Sequence, residues 1–121
     1  MQKDTKDNEI YEAVINKTVE YILNNLHEQL DVKFVANIAC MSPFHFHRIF
    51  TKQKEETLSK FIQRCRIEKA KQLIESEQKL FFHEIAYECG FSSQSLLVKT
   101  FRKHYGMTPH QYRTKIKNDI K

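Results

Sequence analysis

The chain has 121 residues, of which 40% are hydrophobic and 29% charged, with two Gly and two Pro. That supports one compact domain, or two small lobes sharing a long element, in which turns are scarce and helices long. Three dispersed cysteines without a CxxC argue against zinc or a redox pair, and no apolar run suits a signal peptide or a membrane span, so a cytoplasmic chain is expected. The formal net charge of +5 is graded along the chain. Residues 1–31 hold three basic and seven acidic side chains, residues 32–97 ten and seven, and residues 98–121 seven and one. Positive charge thus builds toward the C-terminal third, as a phosphate-binding surface requires.

In chain order, the first helix is predicted over about Glu9–His27. Val14, Thr18, Ile22 and Leu26, with Ile15 and Val19, form its apolar stripe of period 3.6. Asp31 can cap a second helix, about Val32–Ala39, with Val32, Val35, Ala36 and Ala39 inward. Cys40–Met41 form a turn, Ser42 caps a third helix, and Pro43 stands at its first position, where a missing N–H costs nothing. A fourth helix runs from about Leu58 to Glu75, with Thr57 as cap and Phe61, Ile62, Cys65, Ala70, Leu73 and Ile74 as apolar positions. The fifth, about Phe82–Cys89, stops at Gly90 but has no good cap. The sixth, about Ser93–Tyr105, stops at Gly106. Thr108-Pro109-His110-Gln111 is a capping box that opens a seventh helix, whose charged tail is expected to fray after about Ile116. No stretch alternates with period 2, so the fold class is all-α: about seven helices in two lobes.

One segment occurs twice. Residues 35–52 and 85–103 run parallel at an offset of 50 that becomes 51 after the turn: Ala36 meets Ala86, Ser42 meets Ser93, Phe50 meets Phe101. A short apolar helix, a tight turn, a Ser cap and a polar, basic second helix make a helix-turn-helix. In the first copy Phe46, Ile49 and Phe50 follow core spacing, which leaves Phe44, His47, Arg48 and Thr51 on the free face. The corresponding free face in the second copy is Ser95, Val98, Lys99 and Arg102, with Gln94 beside it in the first turn. Arg48 and Lys99 can donate to guanine, Gln94 can bond adenine, and Phe44 and Val98 can pack on thymine methyls. Ser42, Ser92 and Lys103 are the expected phosphate contacts. Eighteen residues of connecting helix span about 27 Å, comparable to the roughly 34 Å between successive major-groove faces.

Other chemistry finds little support. His45 and His47 are two apart on a helix and diverge, so metal binding is not expected. His83-Glu84-Ile85-Ala86-Tyr87 begins like a zinc-protease motif but lacks its second His. The three cysteines are expected as small buried hydrophobes, Phe81 and Phe82 as core, and Arg64 and Arg66 as a brace between lobes through acids such as Glu68. No nucleophile–base set or Gly-rich phosphate loop exists, so neither an enzyme nor a cofactor is expected.

HEIAYECGFSSQSLLVKTFRKHYGMTPHQYR and SPFHFHRIF with ETLSKFIQRCRIEKA resemble the DNA-binding domain of AraC/XylS-type transcription regulators over about residues 10–115. SPFHFHRIF is most similar to members in which this domain comes first and a GyrI-like effector domain follows. The resemblance implies one DNA-binding domain: a first lobe at 9–56, a linker helix at 57–76 and a second lobe at 77–117. Its two recognition helices, about 43–53 and 93–105, would enter successive major grooves. It places base reading on Phe44, His47, Arg48, Gln94, Ser95, Val98 and Lys99, and implies RNA polymerase as a partner. Departures are Glu55 where the family has Gly, Leu97 where it favours Phe, and Lys99 for a common Arg. The expected function is a sequence-specific transcription regulator that binds double-stranded DNA as a monomer on an asymmetric site. The alternatives are a helical protein-interaction module, or a DNA-binding fragment of a longer effector-sensing regulator.

Overall fold

The structure, a computed structural model, describes the backbone of residues 2–120 and the side chains of residues 6–119. The described residues form seven helices and no strands: α1 (Gln2–Asn24), α2 (Val32–Ile38), α3 (Pro43–Lys54), α4 (Leu58–Glu75), α5 (Phe82–Cys89), α6 (Gln94–Tyr105) and α7 (Pro109–Ile120). None of them is long and apolar enough to cross a membrane. The chain divides into two compact units, residues 1–63 and 64–121, with the boundary inside α4.

In the first unit, α2 packs on α3 and α1 on α3. Ile15, Thr18 and Ile22 are buried along α1, as is Leu26 just beyond its end, and the Thr18 hydroxyl is satisfied by donating to the Val14 carbonyl at 2.8 Å. Phe46 and Phe50 are fully buried, 5.5 Å apart, and Phe50 meets Phe61 edge-on at 5.4 Å. Burying a side chain of this size contributes roughly 1.5–3 kcal/mol, so this aromatic row is the main hold on α3. α1 begins seven residues before the expected start and ends at Asn24 rather than His27. There the Asn25 amide donates to the Tyr21 carbonyl at 2.8 Å and closes the helix. Val32, expected inward, is 39% exposed because it sits in the first turn of a two-turn helix, outside the Val35–Ala36–Ala39 face.

In the second unit, Ile67, Ala70, Ile74, Ile85, Ala86, Cys89, Phe91, Leu97 and Phe101 form one core, closed by Tyr105, Tyr112 and Ile116. Ile67 is 1% exposed and absent from the expected core of α4. Phe82 joins this core and carries the Arg113 guanidinium over its ring at 4.2 Å, while Arg113 also donates to the Leu80 carbonyl at 2.9 Å. Phe81, expected beside it in the core, is 67% exposed and stacks on His83. The reason is that Phe81 is the residue before α5, in extended backbone, and so lies off the helix's buried face. α7 stays helical to Ile120 instead of fraying after Ile116.

The repeat extends to backbone detail. The left-handed residue that follows α2 is Cys40 and the one that follows α5 is Gly90, at φ of 57° and 87°. Met41 N–H donates to the Ala36 carbonyl and Cys40 N–H to Asn37; Phe91 N–H donates to Ala86 and Gly90 N–H to Tyr87, all at 2.9–3.1 Å. These are the two crossed bonds of a Schellman stop. α3 and α6 end on a simpler left-handed stop, at Glu55 (φ 58°) and Gly106 (φ 80°), offset by 51. Their N–H groups donate to Thr51 and Arg102 at 2.8 Å. Thr57 and Thr108, again 51 apart, then cap α4 and α7 by accepting from Lys60 and Gln111 N–H. The capping box at α7 is complete, since Thr108 N–H donates to Gln111 at 2.9 Å. At α5, Phe81 has no side-chain acceptor, but its N–H donates to Glu84 at 3.1 Å, so half of a cap is present where none was expected.

A non-glycine residue in the left-handed region costs about 1–2 kcal/mol, partly offset by the extra unfolded-state freedom of Gly. Cys40→Gly and Glu55→Gly should therefore each stabilise by up to about 1 kcal/mol, and Gly106→Ala should destabilise by about 1–2 kcal/mol, in urea unfolding. An added Cβ at Gly106 meets nothing within 4 Å, so that cost is conformational alone. A second outcome concerns alkaline pH. Burial pushes the Cys89 thiol up to about 12. Above the ordinary thiol range the unfolded chain loses this proton while the folded chain keeps it, so stability falls as pH rises from about 9 to about 12. Cys89→Ala should flatten that decline, measured as unfolding free energy against pH.

Candidate nucleic-acid interface

α3 is held by Phe46 and Phe50, so its opposite face is available. Phe44, His47 and Arg48 are exposed there, with Phe44 at 73%. The Arg48 guanidinium lies 6.0 Å from the Phe44 ring centroid, one helical turn back, a cation–π pairing that limits where the cation can wander. His45 points elsewhere and meets Tyr11 edge-on at 5.5 Å. Ser42 accepts from His45 N–H at 3.2 Å, which leaves its O–H to donate to an anion. Thr51 departs from the expected free face: it is half-buried, and its Oγ1 is buried with no hydrogen-bond partner. It lies one residue beyond the buried Phe50, with the exposed Lys52 after it.

α6 is anchored by Leu97, Thr100 and Phe101, all buried, as its spacing predicts. Gln94, Ser95, Lys99 and Arg102 are exposed and Val98 is half-buried. Together with Lys103 and Thr108 they line one open groove of about 800 Å³. No carboxylate lines it, and three of its seven lining residues are cationic. Amide, hydroxyl, methyl and cation in one concave strip can bond base edges and phosphates alike. Thr108 was not among the expected site residues; its capping box is legible in the sequence, but its place beside α6 is not. Ser92 is exposed yet lines a different groove, with His83, Tyr87 and Glu88 of α5.

Several other residues settle into structural roles. Arg64 pairs with Glu68 at 3.3 Å, one turn along the same helix, as an exposed pair. Such pairs contribute about 0.3–0.5 kcal/mol. Cys65 and Cys89 are buried as expected, but Cys40 is exposed, because the left-handed turn projects it away from the α2 core face. Among the described residues, no three His, Cys, Asp or Glu side chains are grouped so that they could hold a metal ion.

The helix-turn-helix domain family matches residues 35–115. An uncharacterized HTH-type transcriptional regulator of Bacillus subtilis, YbfP, is 35% identical over 108 residues, covering 88% of this chain and 36% of the relative. The chain spans between about a third and a half of the length of the first curated relatives it matches. Among solved structures, an AraC-type transcriptional regulator from Chromobacterium violaceum is similar with a TM-score of 0.79 at 25% identity, covering 87% of this chain and 93% of that one. The DNA-binding domain of AdpA, a global transcriptional factor solved in complex with a target DNA, is similar with a TM-score of 0.81 at 30% identity, covering 86% and 93%.

The buried Thr51 hydroxyl has a direct consequence. A buried donor left without a partner costs about 1–3 kcal/mol. Thr51→Val should therefore stabilise the first unit by about 1 kcal/mol in urea unfolding; a loss of stability would mean that the hydroxyl is satisfied in solution.

Proposed function

The chain belongs to the AraC-type helix-turn-helix family, and from that premise we propose that it is a sequence-specific DNA-binding transcription regulator. The observation that carries this reading is the pair of Ser-capped helices, α3 and α6, each buried along one face and open along the other. On this reading α3 and α6 enter successive major grooves. Arg48 donates to guanine O6 and N7, and His47 donates to an acceptor edge or a phosphate. Phe44 packs on a thymine methyl. In the second reader Gln94 bonds adenine, Lys99 donates to guanine, and Ser95, Val98 and Arg102 complete the strip. Ser42, Ser92 and Lys103 take phosphates and set the register.

The two readers are unlike in chemistry, so the site is directional and one copy of the chain suffices to bind it. A symmetric dimer would instead read a palindrome. The protein acts in the cytoplasm, catalyses no reaction, and meets RNA polymerase at promoters it occupies.

The deciding measurement is binding to duplex DNA against salt, first with random sequence and then with a duplex selected from a random pool. Affinity should fall steeply with salt, by a log–log slope of about −0.9 per phosphate contacted. No binding even at low salt would sink the proposal and leave a protein-interaction module. On the selected duplex, Arg48→Ala and Lys99→Ala should each cost about 1–3 kcal/mol and each relax one base preference. Unchanged preferences in both variants would show that α3 and α6 are not the readers.

A further inference from the structure

The net charge of +5 is not shared between the two units. Residues 1–63 hold eight basic and nine acidic side chains, a net of −1, whereas residues 64–121 hold twelve and six, a net of +6. The first unit carries Asp7, Glu9, Glu12 and Glu20 exposed along α1, and on α3 it offers Arg48 and, in the last turn, Lys52 and the half-buried Lys54. It has no electrostatic surplus with which to attract a polyanion. In the second unit Lys99, Arg102 and Lys103 line one groove without a carboxylate, and Lys115 and Lys117 are exposed on α7.

Half of the second unit's acids are also committed locally. Glu68 pairs with Arg64, Glu75 accepts a hydrogen bond from Tyr112, and Glu84 closes the start of α5. Cations at the end of α6 would favour the helix dipole in any protein. That effect concerns Arg102, Lys103 and His104 on α6 and Lys117 on α7; it does not account for Lys115 or for the lack of acids in the groove.

Resting on the function proposed above, we infer that the two units divide the work of binding. The second unit is the electrostatic anchor. It supplies the sequence-independent affinity through phosphate contacts and counterion release, and it holds the chain on DNA while sites are sampled. The first unit contributes to reading alone, whereas α6 both anchors and reads. With a net charge of −1 it gains little from phosphates, so it engages through directed contacts, and the Phe44 ring holds Arg48 ready to make them.

The test uses the full chain and two matched triple variants, each removing three exposed positive charges. One is Lys103→Gln, Lys115→Gln, Lys117→Gln; the other is Lys33→Gln, Lys52→Gln, Lys60→Gln. Binding to a random duplex is measured from 50 to 300 mM salt, with thermal melting of each variant to confirm folding. The second-unit variant should lower the log–log salt slope by about 2 and weaken binding about tenfold or more at the low end, whereas the first-unit variant should change the slope by less than about 1. Equal slopes in the two variants, or a larger loss in the first-unit variant, overturn the division of labour while leaving DNA binding intact. Failure of the unmodified chain to bind random duplex at 50 mM salt overturns the functional reading itself, and the anchor with it.

Discussion

Both helix-turn-helices depend on a left-handed residue between their two helices. A helix-turn-helix works only if the second helix leaves the first at a fixed angle, with its polar face outward. Here that angle is set by the crossed hydrogen bonds at Cys40–Met41 and at Gly90–Phe91, which return two N–H groups to the end of the preceding helix. The bonds satisfy carbonyls that would otherwise be orphaned, and they leave the chain one direction in which to continue. The serine that follows then accepts the first free N–H of the next helix, at His45 in one copy and Leu96 in the other. Remove the left-handed step and the reading helix loses its entry angle, whatever side chains it carries.

The two copies meet this demand with different residues. The second uses Gly at both of its left-handed stops, Gly90 and Gly106, where the conformation is nearly free of strain. The first uses Cys40 and Glu55. It can tolerate them because Phe46, Phe50 and Phe61 hold α3 and the start of α4 through contiguous buried aromatic contacts. Local strain of about 1–2 kcal/mol per residue is smaller than the burial of two or three such rings. Packing therefore imposes in one unit the backbone shape that local sequence prefers in the other.

That difference explains what could be read from the sequence. α4 and α5 match their expected bounds because Thr57 and Gly90 are unambiguous signals. The buried and free faces of α6 match because Leu97, Thr100 and Phe101 keep strict i, i+3, i+4 spacing. The exposure of Cys40 is not legible in the sequence, because apolar periodicity carries no information about a positive φ at a non-glycine residue. Val32 and Phe81 differ from expectation because each lies at the start of a short helix, where periodicity has too few turns to fix a face. The grouping of Thr108 with α6 needed the fold of the second unit, since it depends on α7 returning to α6 after Gly106. The burial of the Thr51 hydroxyl is a matter of a few ångströms at the end of α3, below the resolution of any spacing rule.

The repeat is strict in backbone and loose in chemistry, and that contrast bears on the proposed function. Caps, turns and stops recur at offsets of 50 and 51, because they are conditions for forming the element at all. The residues on the open faces do not recur: Phe44, His47 and Arg48 stand on that of α3, while Gln94, Ser95, Val98 and Lys99 stand on that of α6. A chain that bound DNA by charge alone would have no need for its two open faces to differ, and one that read a palindrome would need them to agree. A common frame with unlike faces, one in a unit of net charge −1 and the other in a unit of net charge +6, suits a polymer that is charged along its whole length but informative only at particular steps. Uniform phosphate charge can be met by lysines without fixed geometry, whereas base edges demand donors held in place. Phe44 beside Arg48 is such a hold, and Lys103 at the end of the α6 groove is of the looser kind.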